Sequence, residues 1–314
     1  KIRHLQHCST PHGALAVLAL DHRGNLRKLL NPEEPTKVTS QEMVDFKRML
    51  VRSLSPAASA VLLDPQYSAG QCIAGGDLPG HVGLVIAAEA SGYSGDTTAR
   101  GSRILPGWSV EKTKQIGASA VKLLVYYHPG SPTAAEIEEL VQSVHADCLT
   151  WGIPLFLETL SYSLDPKRKN LLPDEHRHVI IETASRLTSL GGDILKTEFP
   201  LDITAEPDEV SWLNACVELS QASQIPWVLL SGSVNYETFL RQVKVACQAG
   251  ASGVAVGRAV WRETSELPLE KRQSFLDEVA FVRMRSIYDL VDSLAKPWMN
   301  FYAPLAVEPD WFVP

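Results

Sequence analysis

Apolar residues recur along the chain in two alternating rhythms. Short runs that are hydrophobic nearly throughout, bounded by turn residues, occur at 14–21, 60–64, 83–89, 120–127, 154–162, 194–199, 227–231 and 253–256. Continuous apolar character over four to eight residues is the mark of parallel strands covered by helices. Between the runs the spacing changes to that of an amphipathic helix. Thr39-x-x-Glu42 spells a capping box ahead of Met43, Phe46, Leu50, Val51 and Leu54, and Thr133-x-x-Glu136 spells a second ahead of Ile137, Leu140, Val141 and Val144. Asn235 is the predicted N-cap of a helix that stops at Gly250, and a shorter helix is predicted from about Ser109 to Gly117. Further helical patterns cover about 174–190, 208–223 and 269–295.

Eight strand-then-helix units in this length predict one α/β domain, a single (β/α)8 barrel over residues 1–314 with an irregular extension at about 296–314. The rival is an open doubly wound sheet, which usually has fewer strands and a glycine-rich first turn. Here the first strand ends Leu20-Asp21-His22-Arg23-Gly24, with no G-x-G-x-x-G. Composition narrows the classes of function. The chain is 45% hydrophobic with net charge −7, which excludes a disordered chain and argues against nucleic acid or an anionic membrane as partner. No apolar run spans a bilayer, and no secretory leader is evident. Five dispersed cysteines without a C-x-x-C pair suggest reduced thiols and a cytoplasmic location.

Charged residues interrupt three consecutive strands. Lys122 lies in Ala-Val-Lys-Leu-Leu-Val-Tyr-Tyr, Glu158 in Pro-Leu-Phe-Leu-Glu-Thr-Leu, and Lys196 with Glu198 in Ile-Leu-Lys-Thr-Glu-Phe. Side chains alternate along a strand, so Leu195 and Phe199 suit the helix layer while Lys196 and Glu198 point into the barrel. The same alternation turns Lys122 and Glu158 inward. Buried charges cost several kcal/mol each unless compensated, so a purely structural ion network is the weaker explanation of three such strands. Asp21 adds a second carboxylate at the end of the first strand.

Two lysines beside carboxylates suit Schiff-base chemistry on a ketone. The attacking amine must be neutral, and at its ordinary pKa of ~10.4 hardly any is neutral at pH 7. Apolar walls and a second ammonium, Lys122, are expected to lower that value for Lys196. Glu158 is placed to move protons. The last two strands end in Ser231-Gly232-Ser233 and Gly257-Arg258, where barrels of this kind bind phosphate against a helix N-terminus. Other polar clusters carry less. Glu175, His176, Arg177 and His178 read as solvated surface rather than metal ligands, and Tyr126, Tyr127 and Tyr162 as rim packing. Arg23, Arg27 and Lys28 are candidates for a distal anion, and Arg100 with Arg103 for a lid loop.

With these residues in place, the chain resembles the class I tagatose-1,6-bisphosphate aldolase family. The resemblance runs through Leu-Ala-Leu-Asp21-His-Arg23-Gly24, Leu-Leu-Asp64-Pro65-Gln-Tyr67, Val-Lys122-Leu-Leu-Val-Tyr-Tyr, Phe-Leu-Glu158-Thr-Leu-Ser-Tyr, Asp193-Ile-Leu-Lys196-Thr-Glu, Leu-Leu-Ser231-Gly232 and Gly257-Arg258-Ala-Val-Trp. It implies that Lys196 forms the Schiff base and that Lys122, Glu158 and Asp21 are catalytic. It also implies reversible cleavage of a ketose phosphate into dihydroxyacetone phosphate and an aldehyde, with neither metal nor cofactor. Ser231, Gly232, Gly257, Arg258 and Arg23 are the expected substrate and phosphate contacts, and a homo-oligomer is expected. His22 departs from the family's usual Gln, which leaves the aldehyde open. Sulfofructose-phosphate aldolases are relatives with the same lysine chemistry, so a sulfonated aldehyde is the alternative. A non-catalytic sugar-phosphate regulator is the alternative of another class. It would keep Ser231, Gly232 and Arg258 but would not need Lys196 or Glu158.

Overall fold

Alternation of side chains on eight short strands sorts the apolar residues into two sets, one for the barrel's interior and one for the surface beneath its helices. The computed structural model describes residues 1–168, 170–302 and 307–310. Its strands β1 (Leu15–Ala19), β2 (Ala60–Leu63), β3 (Gly83–Ala87), β4 (Ala120–Tyr126), β5 (Leu155–Leu160), β6 (Ile194–Thr197), β7 (Trp227–Leu230) and β8 (Gly253–Val256) all pair in parallel. Because β8 pairs back onto β1, the sheet closes as a (β/α)8 barrel.

Leu15, Val17, Ala60, Leu62, Val85, Phe156, Ile194 and Val228 fill the interior as one apolar cluster. Their outward neighbours, among them Leu18, Val61, Leu157, Leu195 and Leu229, belong to the larger core under the helices. Phe156 and Ile194 occupy the layer below Glu158 and Lys196 and are partners in the sheet register, as Glu158 and Lys196 are one layer up. The charged layer therefore rests on a packed apolar floor.

Helices α1 (Ile2–His7), α2 (Gly24–Leu30), α3 (Ser40–Leu54), α4 (Ala69–Ala74), α5 (Val110–Gln115), α6 (Ala134–Thr150), α7 (Pro173–Leu190), α8 (Glu209–Ala222), α9 (Tyr236–Gln248) and α10 (Arg258–Glu266) follow in chain order. They are followed by α11 (Leu269–Phe275), which passes through a π turn into α12 (Phe281–Leu294). The Thr39 capping box forms in full: the Glu42 N–H donates to Thr39 Oγ1 at 3.1 Å and the Thr39 N–H donates to Glu42 Oε2 at 2.7 Å. Such a cap stabilises a helix by about 1 kcal/mol. Asn235 caps α9 by accepting from the Thr238 N–H.

The second predicted box does not form. Thr133 has near-helical backbone angles, and its hydroxyl donates to the Arg100 carbonyl at 3.0 Å instead of capping α6. That contact ties the start of α6 to an antiparallel hairpin, Ser94–Asp96 against Ala99–Gly101, which the apolar pattern did not announce. The pattern also missed the short helices α1, α2 and α4, which bury one or two side chains each. Of the extension at 296–314, Trp298–Phe301 form a 3-10 turn with Trp298 buried at the barrel's base; 303–306 and 311–314 lie outside the described residues. No helix among the described residues is long and apolar enough to cross a membrane. The five cysteines are buried and unbridged.

Candidate active site

The C-terminal ends of the strands surround a cavity of about 570 Å3. Lys122 reaches it from β4, Glu158 from β5 and Lys196 from β6, each on the inward face that the alternation assigned. Glu158 Oε2 lies 2.8 Å from Lys122 Nζ and 2.9 Å from Lys196 Nζ, so one carboxylate oxygen stands between the two lysines. Asp21, just beyond β1, joins the group with Oδ2 2.8 Å from Lys122 Nζ. All four residues expected to be catalytic meet at this point.

Glu89 completes the cluster, and the sequence reading did not single it out. It sits two residues past β3, with Oε1 accepting from Lys122 Nζ at 2.7 Å and Oε2 accepting from the Leu124 N–H at 3.1 Å. A carboxylate at the C-terminal end of a barrel strand was the available signal. It was obscured because Glu89 ends an apolar run and resembles an ordinary boundary residue. Lys122 is therefore not the bare second cation expected beside Lys196, since three carboxylates share its charge.

The electrostatics follow from these distances. Burial works against the ammonium of Lys122, but Asp21, Glu158 and Glu89 outweigh it and hold the pKa well above the usual lysine value. Burial would raise the carboxyls of Asp21 and Glu158. The positive ends of Lys122 and Lys196 outweigh that penalty, keeping Asp21 well below and Glu158 below the usual carboxylate range. Glu198 behaves differently. Its Oε2 accepts from the Ser161 N–H and hydroxyl, both at 2.7 Å, yet burial still raises its pKa.

Ser231 and Gly232, after β7, face Gly257 and Arg258, after β8, and all four line the cavity. The Gly257 N–H donates to Ser231 Oγ at 3.4 Å and joins the two loops. Gly232 adopts φ +58°, and a Cβ at Gly257 would lie 2.9 Å from the Ala19 carbonyl oxygen, so neither position favours a side chain. Arg258 opens α10, whose first N–H groups have no intrahelical acceptors. Burial and neighbouring Arg262 lower the pKa of Arg258 from its ordinary value. The arrangement is suited to an anion.

Arg23 also lines the cavity, but its guanidinium is turned into the protein. Nη1 donates to Gln66 Oε1 at 3.1 Å and Nη2 donates to the Glu89 carbonyl at 2.7 Å. The Arg23 guanidinium thus braces Glu89 at the edge of the cavity. Arg27 bonds the Val38 carbonyl and stacks on Tyr67 away from the cavity, leaving exposed Lys28 as the cation at that rim. Arg100 stacks between Tyr93 and Tyr162, 4.5 and 4.6 Å from their ring centres. Of the three tyrosines, Tyr126 lines the cavity, Tyr127 bonds Glu138, and the Tyr162 hydroxyl donates to Ser131. His22 lines the wall edge-on to Trp261, and burial lowers its pKa to about 4. His178 pairs with Glu182 on the exposed face of α7, as solvated surface would.

The chain matches the family described as DeoC/LacD family aldolase over residues 15–263. It is 31% identical over 284 residues to tagatose 1,6-diphosphate aldolase 1 of Enterococcus faecalis, covering 84% of each chain. It is 29% identical over 321 residues to tagatose 1,6-diphosphate aldolase of Streptococcus agalactiae, covering 95% of this chain and 97% of that one. An archaeal fructose 1,6-bisphosphate aldolase superposes with a TM-score of 0.62 at 23% identity, over 92% of this chain and 98% of that one. The fructose-bisphosphate aldolase of Plasmodium falciparum superposes with a TM-score of 0.72 at 14% identity, over 94% of both.

Proposed function

The chain belongs to the DeoC/LacD aldolase family, and from that premise we propose that it cleaves a ketose phosphate through a Schiff base on Lys196. The observation that carries this reading is the contact of 2.9 Å between Lys196 Nζ and Glu158 Oε2 inside the cavity. That carboxylate is held on its other side by Lys122. It is within hydrogen-bond reach to take a proton from the amine and return it to the leaving hydroxyl.

The neutral Lys196 amine attacks the C2 carbonyl of the open-chain ketose, and loss of water from the carbinolamine gives an iminium. Glu158 takes the proton of the C4 hydroxyl as the C3–C4 bond breaks. The bond's electrons flow into the iminium and leave an enamine, and the aldehyde departs. Protonation at C3 and hydrolysis then release dihydroxyacetone phosphate and restore the amine. Lys122, paired with Asp21, Glu89 and Glu158, keeps the carboxylates ionised and aimed. The C1 phosphate is assigned to Ser231, Gly232, Gly257 and Arg258, which suits an iminium on the adjoining strand.

Tagatose 1,6-bisphosphate is the favoured ketose, with glyceraldehyde 3-phosphate as the aldehyde. The names of the relatives from Enterococcus and Streptococcus support that choice. Borohydride reduction in the presence of dihydroxyacetone phosphate, followed by peptide mass spectrometry, tests the chemistry. A reduced adduct on Lys196 is expected. Binding of dihydroxyacetone phosphate without an adduct on any lysine would leave only a sugar-phosphate-binding protein.

A further inference from the structure

Glu158 accounts for the proton transfers and Asp21 and Glu89 pair with Lys122, yet a fourth carboxylate stands in the same cavity without a task. Glu198 lies two residues beyond Lys196 on the inward side, about 7 Å further toward the barrel mouth at the rise of a strand. Its surroundings differ from those of the other acids. Asp21, Glu89 and Glu158 each meet Lys122, whereas Glu198 makes no ion pair among the described residues. Both hydrogen bonds it accepts come from Ser161 and end on one oxygen, Oε2. Oε1 has no hydrogen-bond partner among the described residues, although the side chain lines the cavity.

A carboxyl fixed by one oxygen, with the other left to the cavity, suits recognition of a hydroxyl better than charge balance. The geometry of the proposed reaction narrows which hydroxyl. With the phosphate over β7 and β8, C2 on Lys196 of β6 and the C4 oxygen at Glu158 of β5, the remainder of the sugar rises toward the mouth past Glu198. We infer that Glu198, anchored by Ser161, hydrogen-bonds a hydroxyl on the aldehyde-derived half of the ketose and so helps select the aldehyde. The inference rests on the Schiff-base reading above.

The two halves of the substrate separate this role from a structural one. In the condensation direction, dihydroxyacetone phosphate enters without the aldehyde half. Glu198→Ala should therefore retain borohydride trapping of dihydroxyacetone phosphate on Lys196, while the KM for glyceraldehyde 3-phosphate rises about tenfold, the scale of one buried hydrogen bond. Glu198→Gln, which can still accept from Ser161 and bond a hydroxyl, should restore most of that loss. An unaltered KM for the aldehyde in Glu198→Ala, or trapping lost in step with it, overturns the assignment. Where Glu198→Ala does not fold, Ser161→Ala should raise the same KM several-fold, and an unaltered value there overturns it equally. Wild-type protein that traps no dihydroxyacetone phosphate overturns the Schiff-base reading first. Wild-type protein that traps it but does not condense glyceraldehyde 3-phosphate overturns this inference together with the bisphosphate substrate.

Discussion

Lys122 and Glu89 meet at 2.7 Å, Nζ to Oε1, between two strands that are neighbours in the barrel. Glu89 is 5% exposed, its backbone carbonyl accepts from Arg23, and its Oε1 lies 3.6 Å from Arg23 Nη2, so one carboxylate pairs with two cations. Removing one partner of a buried pair commonly costs about 3–5 kcal/mol because the other charge is left uncompensated. Glu89→Ala is therefore expected to lose about 3 kcal/mol in urea unfolding, and Arg23→Ala a similar amount. Arg23→Ala should leave the KM for dihydroxyacetone phosphate within about twofold of wild type, since its nitrogens are engaged by Gln66 and Glu89. Unchanged unfolding with a KM raised tenfold would return Arg23 to substrate binding.

Lys196→Ala removes the only atom able to form the imine in the proposed reaction, so turnover should fall by a factor on the order of 10^4 or more, with no borohydride adduct. Lys122→Ala keeps the nucleophile but leaves three buried carboxylates facing one another. Its kcat should fall by about two to three orders of magnitude while an adduct on Lys196 still forms. Glu158→Gln should lower kcat by roughly 10^2- to 10^4-fold with the phosphate still bound. An adduct found on Lys122 in the Lys196→Ala protein, with activity kept, would reverse the roles of the two lysines.

Legibility in the sequence followed periodicity. All eight barrel strands announce themselves as apolar runs because both faces of each are covered, and alternation alone placed Lys122, Glu158 and Lys196 inward. What stayed hidden depends on contacts between distant segments. Glu89 looks like the end of a strand until Lys122 is brought within 2.7 Å. Arg23 looks like a free cation until Gln66, forty-three residues away, accepts from it. Thr133 has the spelling of a cap but bonds Arg100 because the hairpin lies over the start of α6. Sequence spacing identifies residues able to make such bonds, but the tertiary arrangement determines which bonds form.

Arg258 stands where the loops after β7 and β8 converge, and the proposed phosphate contact gives it a separable effect. Arg258→Ala should raise the KM for dihydroxyacetone phosphate by about one to two orders of magnitude, the scale of a charge-assisted hydrogen-bond pair. The change in kcat should be smaller, because binding the phosphate serves ground state and transition state alike. Arg258→Lys should recover only part of the loss, since an ammonium lacks the planar fork. A kcat that falls with KM unchanged would place Arg258 at the reacting carbons instead.

His22 gives the fold a pH dependence distinct from that of Asp21 and Glu158. Its side chain is 19% exposed, and burial takes its pKa down to about 4 against the pull of Asp21. In the unfolded chain the value is ~6.5. Above that pH both states are neutral and the contribution to stability is whole. As pH falls from ~6.5 toward about 4, the unfolded chain takes up a proton that the folded protein refuses, so stability is lost by about 3 kcal/mol in all. Asp21 and Glu158 have folded values below their unfolded ones, so their contribution is present above ~4 and is lost only as pH falls further. The window between pH 4 and 6.5 thus separates His22 from them. His22→Gln should therefore flatten urea-unfolding stability in that window, and the gap between variant and wild type should shift in the variant's favour by about 3 kcal/mol from pH 7 to pH 4. Parallel stability curves would mean that His22 keeps its unfolded-state pKa in the folded protein.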